Sequence, residues 1–364
     1  MGELVQLGAD VHVLMPTDGP LVEHYQAAGI VVHEGQPSLP LKSPHRWRNL
    51  YEDIRSLTSR IEPDLIHSHF VGTTLSMRMA LGKHHKTPRV FQVPGPLHLE
   101  HPFFRNMEIR TASDKDSWIG SCNWTRERYR RSGVSSDRIF MSYYGSDLDE
   151  IQVRSPGRLR SELGLSDSTQ IVGMVAFMYG PKRYLGQSRG LKGHEDLIDA
   201  LAILRARGRD VVGVFVGGAW AGAAEYEKRV QAYGTKRLGD AAYFLGTRHD
   251  VPYLYPDFDV VAHPSHSENV GGAAESQLLA VPTVATNVGG FPDLVIPGET
   301  GWLVPPKNPE DLARALGEAL DDPVKARQFA VNGQVLATEL FDVRRTGREV
   351  LGIYEQILSR QSHL

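Results

Sequence analysis

The sequence contains very little cysteine and no long apolar run. Its 364 residues include one cysteine, Cys122, which excludes an internal disulfide and the class of disulfide-rich secreted domains. No stretch approaches the roughly 20 apolar residues that a membrane-spanning helix needs, and the first residues lack the pattern of a signal peptide. We therefore expect a soluble, cytoplasmic protein.

The sequence also lacks an excess of charge of either sign. It has 40 lysine and arginine residues against 43 aspartate and glutamate residues, a net charge of −3. This balance argues against a protein whose main partner is a nucleic acid. With 41% hydrophobic and 23% charged residues, the composition excludes a disordered chain. At roughly 150 residues per domain, the length indicates two domains.

Short apolar segments alternate with amphipathic ones along nearly the whole chain. The apolar segments are rich in Val, Ile and Phe and continuously apolar, which is typical of strands buried on both faces. They lie at 11–15, 64–67, 89–93, 118–122, 138–143, 171–178, 211–217, 241–245, 258–262, 283–286 and 301–304. Helical patterns fill the gaps, so the sequence predicts an α/β fold with doubly wound parallel sheets.

A polar segment with Pro156, Gly157 and Gly164 separates the strands into two sets and predicts a linker. The predicted organisation is a Rossmann-like domain at 1–150, a linker at 151–167, a second Rossmann-like domain at 168–335 and a helical segment at 336–364. In open parallel sheets, ligands bind beyond the carboxyl ends of the strands. The cleft between the two domains is therefore the predicted site.

The first domain begins in an unusual way. The opening sequence MGELVQLGAD is typical of the second half of a helix that leads into a strand, whereas a Rossmann-like domain begins with a strand and a tight turn. We therefore expect the first strand to be missing, which leaves backbone groups of the sheet without a partner. A late-started reading frame and a real departure from the pattern both explain this beginning.

The most informative segment is 263–295, HPSHSENVGGAAESQLLAVPTVATNVGGFPDLV. After a buried strand it passes through Glu268 and the pair Gly271 and Gly272, and then enters a helix. A glycine-rich turn that opens a helix presents free N–H groups and the positive end of the helix dipole, which suits a phosphate or diphosphate. Glu275, one turn further on, suits the hydroxyls of a ribose or sugar. An ordinary helix start, with glycine for packing and Glu for the dipole, explains the same pattern.

The blocks SENVGGAAES, AVPTVATNVGGFPDLV and GETGWLVPP resemble the donor-binding half of glycosyltransferase family 4. Further matches are GLKGHEDLIDAL, VFVGG, FLGTRHDVPYLY and, in the first half, YYGSDLD. Many matches in the right order are more specific than one glycine motif. The resemblance implies a retaining, nucleotide-sugar-dependent enzyme of GT-B fold, with two Rossmann-like domains that face each other across a cleft. It also implies that the C-terminal helix crosses back to brace the first domain.

The resemblance assigns donor-binding roles to several residues. Glu275 matches the carboxylate that holds the nucleotide ribose. The carboxylate that contacts the donor sugar stands eight positions earlier in the family, where this chain has Ser267, and we assign its role to the neighbouring Glu268. The expected cradle for the diphosphate or sugar hydroxyls is the backbone of Asn269, Val270, Gly271 and Gly272. The segment 247–251 is expected to lie against the base. The remaining donor-binding residues are Gly217, Thr247, Arg248 and Val251.

The family also uses an arginine and a lysine to neutralise the departing nucleotide diphosphate. Lys192, in the LKG match, fits the lysine. The arginine normally follows the preceding strand directly, where this chain has Ala176 and Phe177 followed by an insertion. Arg189 is the expected substitute and Arg183 the alternative. Cations that are already in place stabilise the charge that grows on the leaving phosphate, and they can replace a metal ion. A solvated basic loop is the structural alternative.

Four histidines lie at or just beyond strand ends of the first domain: His67, His69, His98 and His101. The family places a histidine that contacts the donor sugar near Pro94, so His98 is the expected replacement. A neutral imidazole can hydrogen-bond to a sugar hydroxyl. The spacing could also suit a metal, but no cysteine partner or HExxH helix accompanies it, and we expect no metal site. A core or surface position is the other interpretation of each histidine.

These features predict a glycosyltransferase that moves a sugar from a nucleotide diphosphate donor, such as a UDP-sugar, to a hydroxyl of a sugar, lipid-linked or small-molecule acceptor in carbohydrate biosynthesis. No cofactor is expected beyond the donor substrate. The alternatives are a same-fold epimerase or sugar phosphorylase, and a non-catalytic or truncated nucleotide-sugar binder. Arg128, Arg130 and Arg131 form either a solvated helix face or a peripheral membrane contact.

Overall fold

The computed structural model describes residues 1–38, 43–151, 153–182 and 186–361. The chain divides into two compact units. The first unit consists of residues 1–146 with 341–364, and the second of residues 147–340. Among the described residues, no helix is both long enough and apolar enough to cross a membrane.

The described residues of the first unit form two parallel sheets. In the smaller sheet, β1 (His12–Met15) pairs with β2 (Val31–Glu34). The larger sheet follows the order of the chain, with β3 (Ile66–His69), β4 (Arg89–Gln92), β5 (Asp116–Gly120) and β6 (Ile139–Met141). In these ranges β1 and β3 are not paired with each other, so the strand pairing of this unit is interrupted between them.

Helices precede and connect these strands: α1 (Gly2–Gln6), α2 (Leu21–Ala27), α3 (Trp47–Ile61), α4 (Val71–Leu81), α5 (Leu97–Glu100), α6 (Pro102–Arg110) and α7 (Asn123–Arg131). The strands β4 and β5 are buried along their whole length because they lie in the middle of the larger sheet. Their aromatic side chains Phe91 and Trp118 pack with Leu99 and Tyr129, which come from α5 and α7. The core of this unit therefore joins the sheet to the helices that follow its strands.

The second unit contains a parallel sheet whose strands alternate with helices. The described strands are β7 (Gln170–Val175), β8 (Val211–Val216), β9 (Ala242–Phe244), β10 (Val260–His263), β11 (Thr283–Thr286) and β12 (Trp302–Val304). Their order in the sheet is β12-β11-β10-β7-β8-β9. The chain winds outward from β7 to β9 and returns to the other side of β7 with β10. Such a reversal creates a crevice at the carboxyl ends of β7 and β10, where open sheets bind ligands.

The helices of this unit are α8 (Arg158–Leu163), α9 (His194–Ala206), α10 (Ala224–Leu238), α11 (Gly271–Leu278), α12 (Pro309–Asp321) and α13 (Pro323–Phe341). The central strands β7, β8 and β10 are mainly apolar and almost completely buried, and their side chains form the main core with helices such as α9 and α12. A large single core results, and it holds the loops at the carboxyl ends of the strands in fixed positions.

The segment predicted as a linker, residues 151–167, belongs to the second unit and contains α8. Leu159 is completely buried in the core of that unit. The carboxylate of Asp257 accepts hydrogen bonds from the N–H groups of Gly157, at 2.6 Å, and Leu159, at 2.7 Å. The polar composition predicted a connection, but one buried leucine and one capping carboxylate suffice to hold this segment against the domain.

The chain ends with α14 (Val343–Gln361), which packs against the first unit. Ile353 and Ile357 lie in one apolar cluster with Val90 of β4 and Ile119 of β5. The hydroxyl of Tyr354 lies 2.5 Å from Nδ1 of His67. The helix break after Phe341 separates α14 from α13, and the C-terminal helix completes the core of the first unit.

Candidate functional site

Two loops of the second unit lie at the carboxyl ends of β7 and β10, where the strand order reverses. One follows β10 and runs through residues 264–270 into α11, and the other precedes α9 at residues 189–193. Val270 occupies the N-cap position of α11, and its apolar side chain makes no capping hydrogen bond to this helix end. The N-terminus of α11 therefore presents N–H groups and a positive partial charge at the switch point of the sheet.

His263, the last residue of β10, lies beneath this helix terminus. Its Nε2 is 3.0 Å from Oγ of Ser276, and the residue is 5% exposed. Burial, and secondarily the charge of Lys192, lowers the pKa of His263 to about 3. A Cβ at Gly272 would lie 2.8 Å from Nδ1 of this ring, so only glycine fits without a shift. A neutral ring thus supports the glycine turn from below.

Lys192 and Glu268, which the sequence assigns to diphosphate and sugar, form an ion pair. The Oε2 atom of Glu268 accepts from Nζ of Lys192 and, at 3.3 Å, from Oγ of Ser265. Its Oε1 atom accepts from the N–H of Asn269 at 3.1 Å. The side chains of Lys192 and Glu268 are 20% and 14% exposed. A cation and a carboxylate therefore stand together at the opening of the crevice.

The two loops are held against each other by close backbone contact. The N–H of His266 donates to the carbonyl of Leu191 at 2.8 Å, and the imidazole of His266 contacts the carboxylate of Asp196. Gly193 has a φ of +76°, and a Cβ there would collide with the carbonyl oxygen of Pro264. This approach places Lys192, on one loop, beside Glu268, on the other.

Arg189, expected to face the diphosphate, is engaged by carboxylates in the structure. Its guanidinium donates to Asp196 at 2.5 Å and to Asp199 at 2.7 Å, both on α9. Although burial disfavours the charged form, these hydrogen bonds raise the pKa of Arg189 above its ordinary value. Arg189 thus ties the loop to α9, and its contact with a diphosphate stays a prediction. The alternative, Arg183, lies outside the described residues.

Glu275, expected to hold the ribose, is the fifth of the eight residues of α11. Its Oε2 atom accepts a hydrogen bond from the hydroxyl of Tyr255 at 2.9 Å. Desolvation of the carboxyl group raises the pKa of Glu275, and the hydrogen bond from Tyr255 opposes this shift. The residue as a whole remains exposed, so it can still accept hydrogen bonds from a ligand's hydroxyls.

The loop expected to contact the base follows β9. The N–H of Gly217 donates to the carbonyl of Gly246 at 2.7 Å, which joins this loop to the end of β8. Thr247 is exposed, and Val251 packs against the main core. Hydrogen bonds to Asp250 and then to Glu162 engage the guanidinium of Arg248 and raise its pKa. Its side chain thus anchors the loop, and the contact of this loop with a base stays a prediction.

His98 belongs to the first unit, whereas the other predicted site residues belong to the second. Its Nε2 lies 3.3 Å from the hydroxyl of Tyr129, and its ring packs against Phe91. Burial lowers the pKa of His98 to about 4, so the ring is neutral at physiological pH. His67 and His69 stack on each other at 4.4 Å. No group of three or more metal-ligating side chains occurs within the described part of the chain.

Three aromatic residues at the ends of β7 and β8 were not predicted from the sequence as part of the site. The rings of Phe177 and Tyr179 lie 5.0 and 5.8 Å from the ring of Trp220. Phe177 is 38% and Trp220 48% exposed. Nζ of Lys192 lies 5.7 Å from the centre of the Tyr179 ring. Their position directly after two buried strands was the available signal.

Two family descriptions match this chain. "Glycosyltransferase Family 4" matches residues 1–150, and "Glycosyl transferases group 1" matches residues 183–335. The two matches follow one another along most of the chain and correspond to the two Rossmann-like domains of the GT-B fold. The chain therefore contains a glycosyltransferase family 4 domain followed by a glycosyl transferases group 1 domain, and is a family 4-like glycosyltransferase.

Individual proteins agree with this assignment. The chain is 32% identical over 243 residues to a D-inositol 3-phosphate glycosyltransferase of Paenarthrobacter aurescens, with 60% of this chain and 55% of that protein covered. It is 28% identical over 235 residues to an alpha-D-kanosaminyltransferase of Streptomyces kanamyceticus, with 64% and 58% covered. The matched region thus spans somewhat more than half of these relatives. HepE of Anabaena, solved in complex with UDP-glucose, has a TM-score of 0.77 and 25% identity, with 100% of this chain and 94% of that chain covered.

Proposed function

We propose that this protein is a retaining glycosyltransferase that moves a sugar from a nucleotide diphosphate sugar to an acceptor hydroxyl without a metal ion. The observation that carries the proposal is the Lys192–Glu268 ion pair beside the N-terminus of α11. A cation and the open end of a helix suit a diphosphate, and a carboxylate suits the hydroxyls of a sugar. The pair lies at the switch point, where such sheets bind ligands.

The proposed reaction uses these groups as electrostatic stabilisers. Negative charge grows on the diphosphate as its bond to the sugar breaks, and Lys192 and the N–H groups of α11 stabilise that charge. Lys192 exchanges Glu268 for the diphosphate when the donor binds, which releases one oxygen of Glu268 for a sugar hydroxyl. The acceptor oxygen forms the new bond to the anomeric carbon as the bond from that carbon to the diphosphate breaks. The leaving phosphate helps to deprotonate the acceptor, so no covalent sugar–enzyme adduct forms.

Two further observations support a donor at this position. The Oδ1 atom of Asn269 is buried and has no hydrogen-bond partner among the described residues. A buried acceptor without a donor is costly, and a ligand hydroxyl would satisfy it. Glu275 lies on the same helix, with its carboxyl group oriented by Tyr255 and its surface exposed to a ribose.

We further propose a UDP-sugar as the donor to test first, because HepE binds UDP-glucose. The acceptor is a sugar, a lipid-linked sugar or a small molecule in carbohydrate biosynthesis, and we expect the reaction to occur in the cytoplasm without nucleic acid. A peripheral membrane contact through α7 is also proposed, because Glu127 is the one acid on this helix and pairs with both Arg130 and Arg131, which leaves α7 with a positive charge.

The first test is calorimetric titration of the protein with UDP, GDP, ADP and dTDP, each with and without EDTA. We expect selective binding of one diphosphate that EDTA does not change. Lys192→Ala should weaken this binding, whereas Lys228→Ala, which removes an exposed lysine paired with Glu225 on α10, should not. Binding of none of the four by a protein that unfolds cooperatively would refute the donor site.

The second test follows the sugar. UDP-glucose is incubated with candidate acceptors, and NMR reports the anomeric configuration of the product. Retention without an isolable glycosyl-enzyme supports the mechanism, whereas inversion or a covalent adduct refutes it. Conversion of UDP-glucose alone would instead identify an epimerase, and dependence on inorganic phosphate would identify a phosphorylase. Nucleotide binding without turnover of any donor would indicate a non-catalytic binder.

A further inference from the structure

Phe177, Tyr179 and Trp220 form a continuous aromatic surface, here called the aromatic ledge. The backbone beneath it extends the pairing of β7 and β8 beyond the strands. Ala176 donates to Val216 at 2.8 Å, Met178 to Gly218 at 2.9 Å, and Trp220 to the carbonyl of Met178 at 3.1 Å. Backbone hydrogen bonds between the two segments therefore hold the residues of the ledge in place.

The ledge exposes large apolar side chains in a region that is otherwise well packed. Met178, between Phe177 and Tyr179, is 1% exposed, whereas Phe177 is 38% and Trp220 48% exposed. Trp220 is the most exposed tryptophan among the described residues. A cluster of exposed aromatic rings at the opening of a binding crevice is a typical ligand-contact surface.

The two ends of the ledge differ in chemistry. At one end, Lys192 contacts the Tyr179 ring, and a cation at this point suits a phosphate. At the other end, Gly218 lies next to the loop after β9, because a Cβ at Gly218 would be 3.0 Å from Oγ1 of Thr247. A ligand that matches this arrangement has a flat ring at one end and a negative charge at the other. A nucleoside diphosphate has this form.

We propose that the ledge binds the nucleobase of the donor, with the base stacked on Trp220 and the diphosphate at Lys192. This inference rests on the proposed function, because it assigns the base of the same donor. Stacking uses the face of the base and depends little on its hydrogen-bonding edge. The ledge thus supplies affinity, while the backbone of the loop at residues 247–251 distinguishes one base from another.

The test combines tryptophan fluorescence and calorimetry, with UDP, uridine and inorganic pyrophosphate as probes. A stacked base quenches the emission of an exposed indole, so UDP and uridine should quench the wild-type protein and pyrophosphate should not. Trp220→Phe should lose the quenching and keep most of the affinity for UDP. Trp220→Ala should bind UDP about 5- to 160-fold more weakly, as expected for the loss of one base–aromatic stack.

Two controls make the result specific. Phe103→Ala removes an aromatic residue that is 64% exposed in the first unit, and it should leave UDP binding unchanged. The midpoint of thermal unfolding reports whether Trp220→Ala is folded, and Phe177→Ala provides a second variant of the ledge.

The inference fails if Trp220→Ala and Phe177→Ala, both folded, bind UDP as tightly as the wild type. It also fails if Trp220→Ala changes only the Michaelis constant of an acceptor, because the ledge would then hold the acceptor. If the wild type binds neither UDP nor any other nucleoside diphosphate, the proposed function itself is refuted. These results are distinct, because the first two require a wild type that binds UDP.

Discussion

Glu268→Gln should increase the affinity for UDP while it reduces sugar transfer. In the unliganded protein, Glu268 holds Nζ of Lys192 in an ion pair, and a diphosphate that uses Lys192 must compete with this carboxylate. Glutamine has the same shape but lacks the charge. Its amide oxygen can still accept from the N–H of Asn269, and its amide nitrogen can donate to Oγ of Ser265, a hydroxyl that now donates to the carboxylate.

The expected magnitude follows from the burial of the pair. Exposed ion pairs contribute about 0.2–1 kcal/mol, whereas breaking a fully buried pair costs about 3–5 kcal/mol. With side chains 20% and 14% exposed, the Lys192–Glu268 pair lies between these limits. We therefore expect removal of the competing charge to strengthen UDP binding by about 1–2 kcal/mol, or about 5- to 30-fold. Transfer from UDP-glucose should fall, because the sugar hydroxyl loses a charged acceptor worth about 1.5–3 kcal/mol.

Calorimetric titration with UDP at constant ionic strength measures the first effect, and initial rates with UDP-glucose measure the second. Glu225→Gln is the matched control, because Glu225 pairs with Lys228 on the exposed face of α10 and should change neither quantity. UDP binding that is unchanged or weaker in Glu268→Gln would refute the competition between carboxylate and diphosphate.

Three further predictions concern the frame of the site. Arg189→Met should lower the free energy of unfolding by about 1–3 kcal/mol, because its two carboxylate partners lose their cation. It should reduce UDP affinity less than Lys192→Ala does. An equal loss of UDP affinity would instead show that Arg189 contacts the diphosphate. Gly272→Ala should destabilise the folded protein by about 1–3 kcal/mol and weaken UDP binding, since its Cβ would lie 2.8 Å from the ring of His263. Gly352→Ala is the control, because open space surrounds its Cβ and the folded protein should not be destabilised. His263 has a pKa of about 3 in the folded protein against 6.5 as its ordinary value. On acidification the unfolded chain is therefore protonated at a higher pH than the folded protein, and the free energy of unfolding falls as the pH drops from about 6.5 to about 3. At pH 5 this loss is about 2 kcal/mol, and urea unfolding of His263→Gln should show a pH dependence smaller by that amount.

Strands of the second unit were well predicted from the sequence. The apolar runs at 171–178 and 211–217 correspond to Gln170–Val175 and Val211–Val216, because strands buried on both faces must be continuously apolar. The strand Val31–Glu34 was not predicted. It pairs only with β1 among the described residues and has exposed residues at both ends, so its pattern is weak.

The residues of the candidate site were named through the family resemblance, and their roles stay predictions. Lys192 and Glu268 were assigned in this way, and the structure places their side chains in contact. Arg189 and Arg248 were chosen in the same way, but each is engaged by two carboxylates. An arginine in a loop sequence gives no sign of where its partners lie, and Glu162 stands 86 positions from Arg248.

The sequence by itself determined the α/β alternation, the glycine turn that opens a helix after a buried strand, and the resemblance to one family of glycosyltransferases. These features depend on local periodicity and on motifs within short segments. Only the tertiary structure decided which charges are free and which are neutralised, and that three aromatic rings form one surface. Those properties depend on distances of a few ångströms between residues far apart in the chain, and folding brings such residues together.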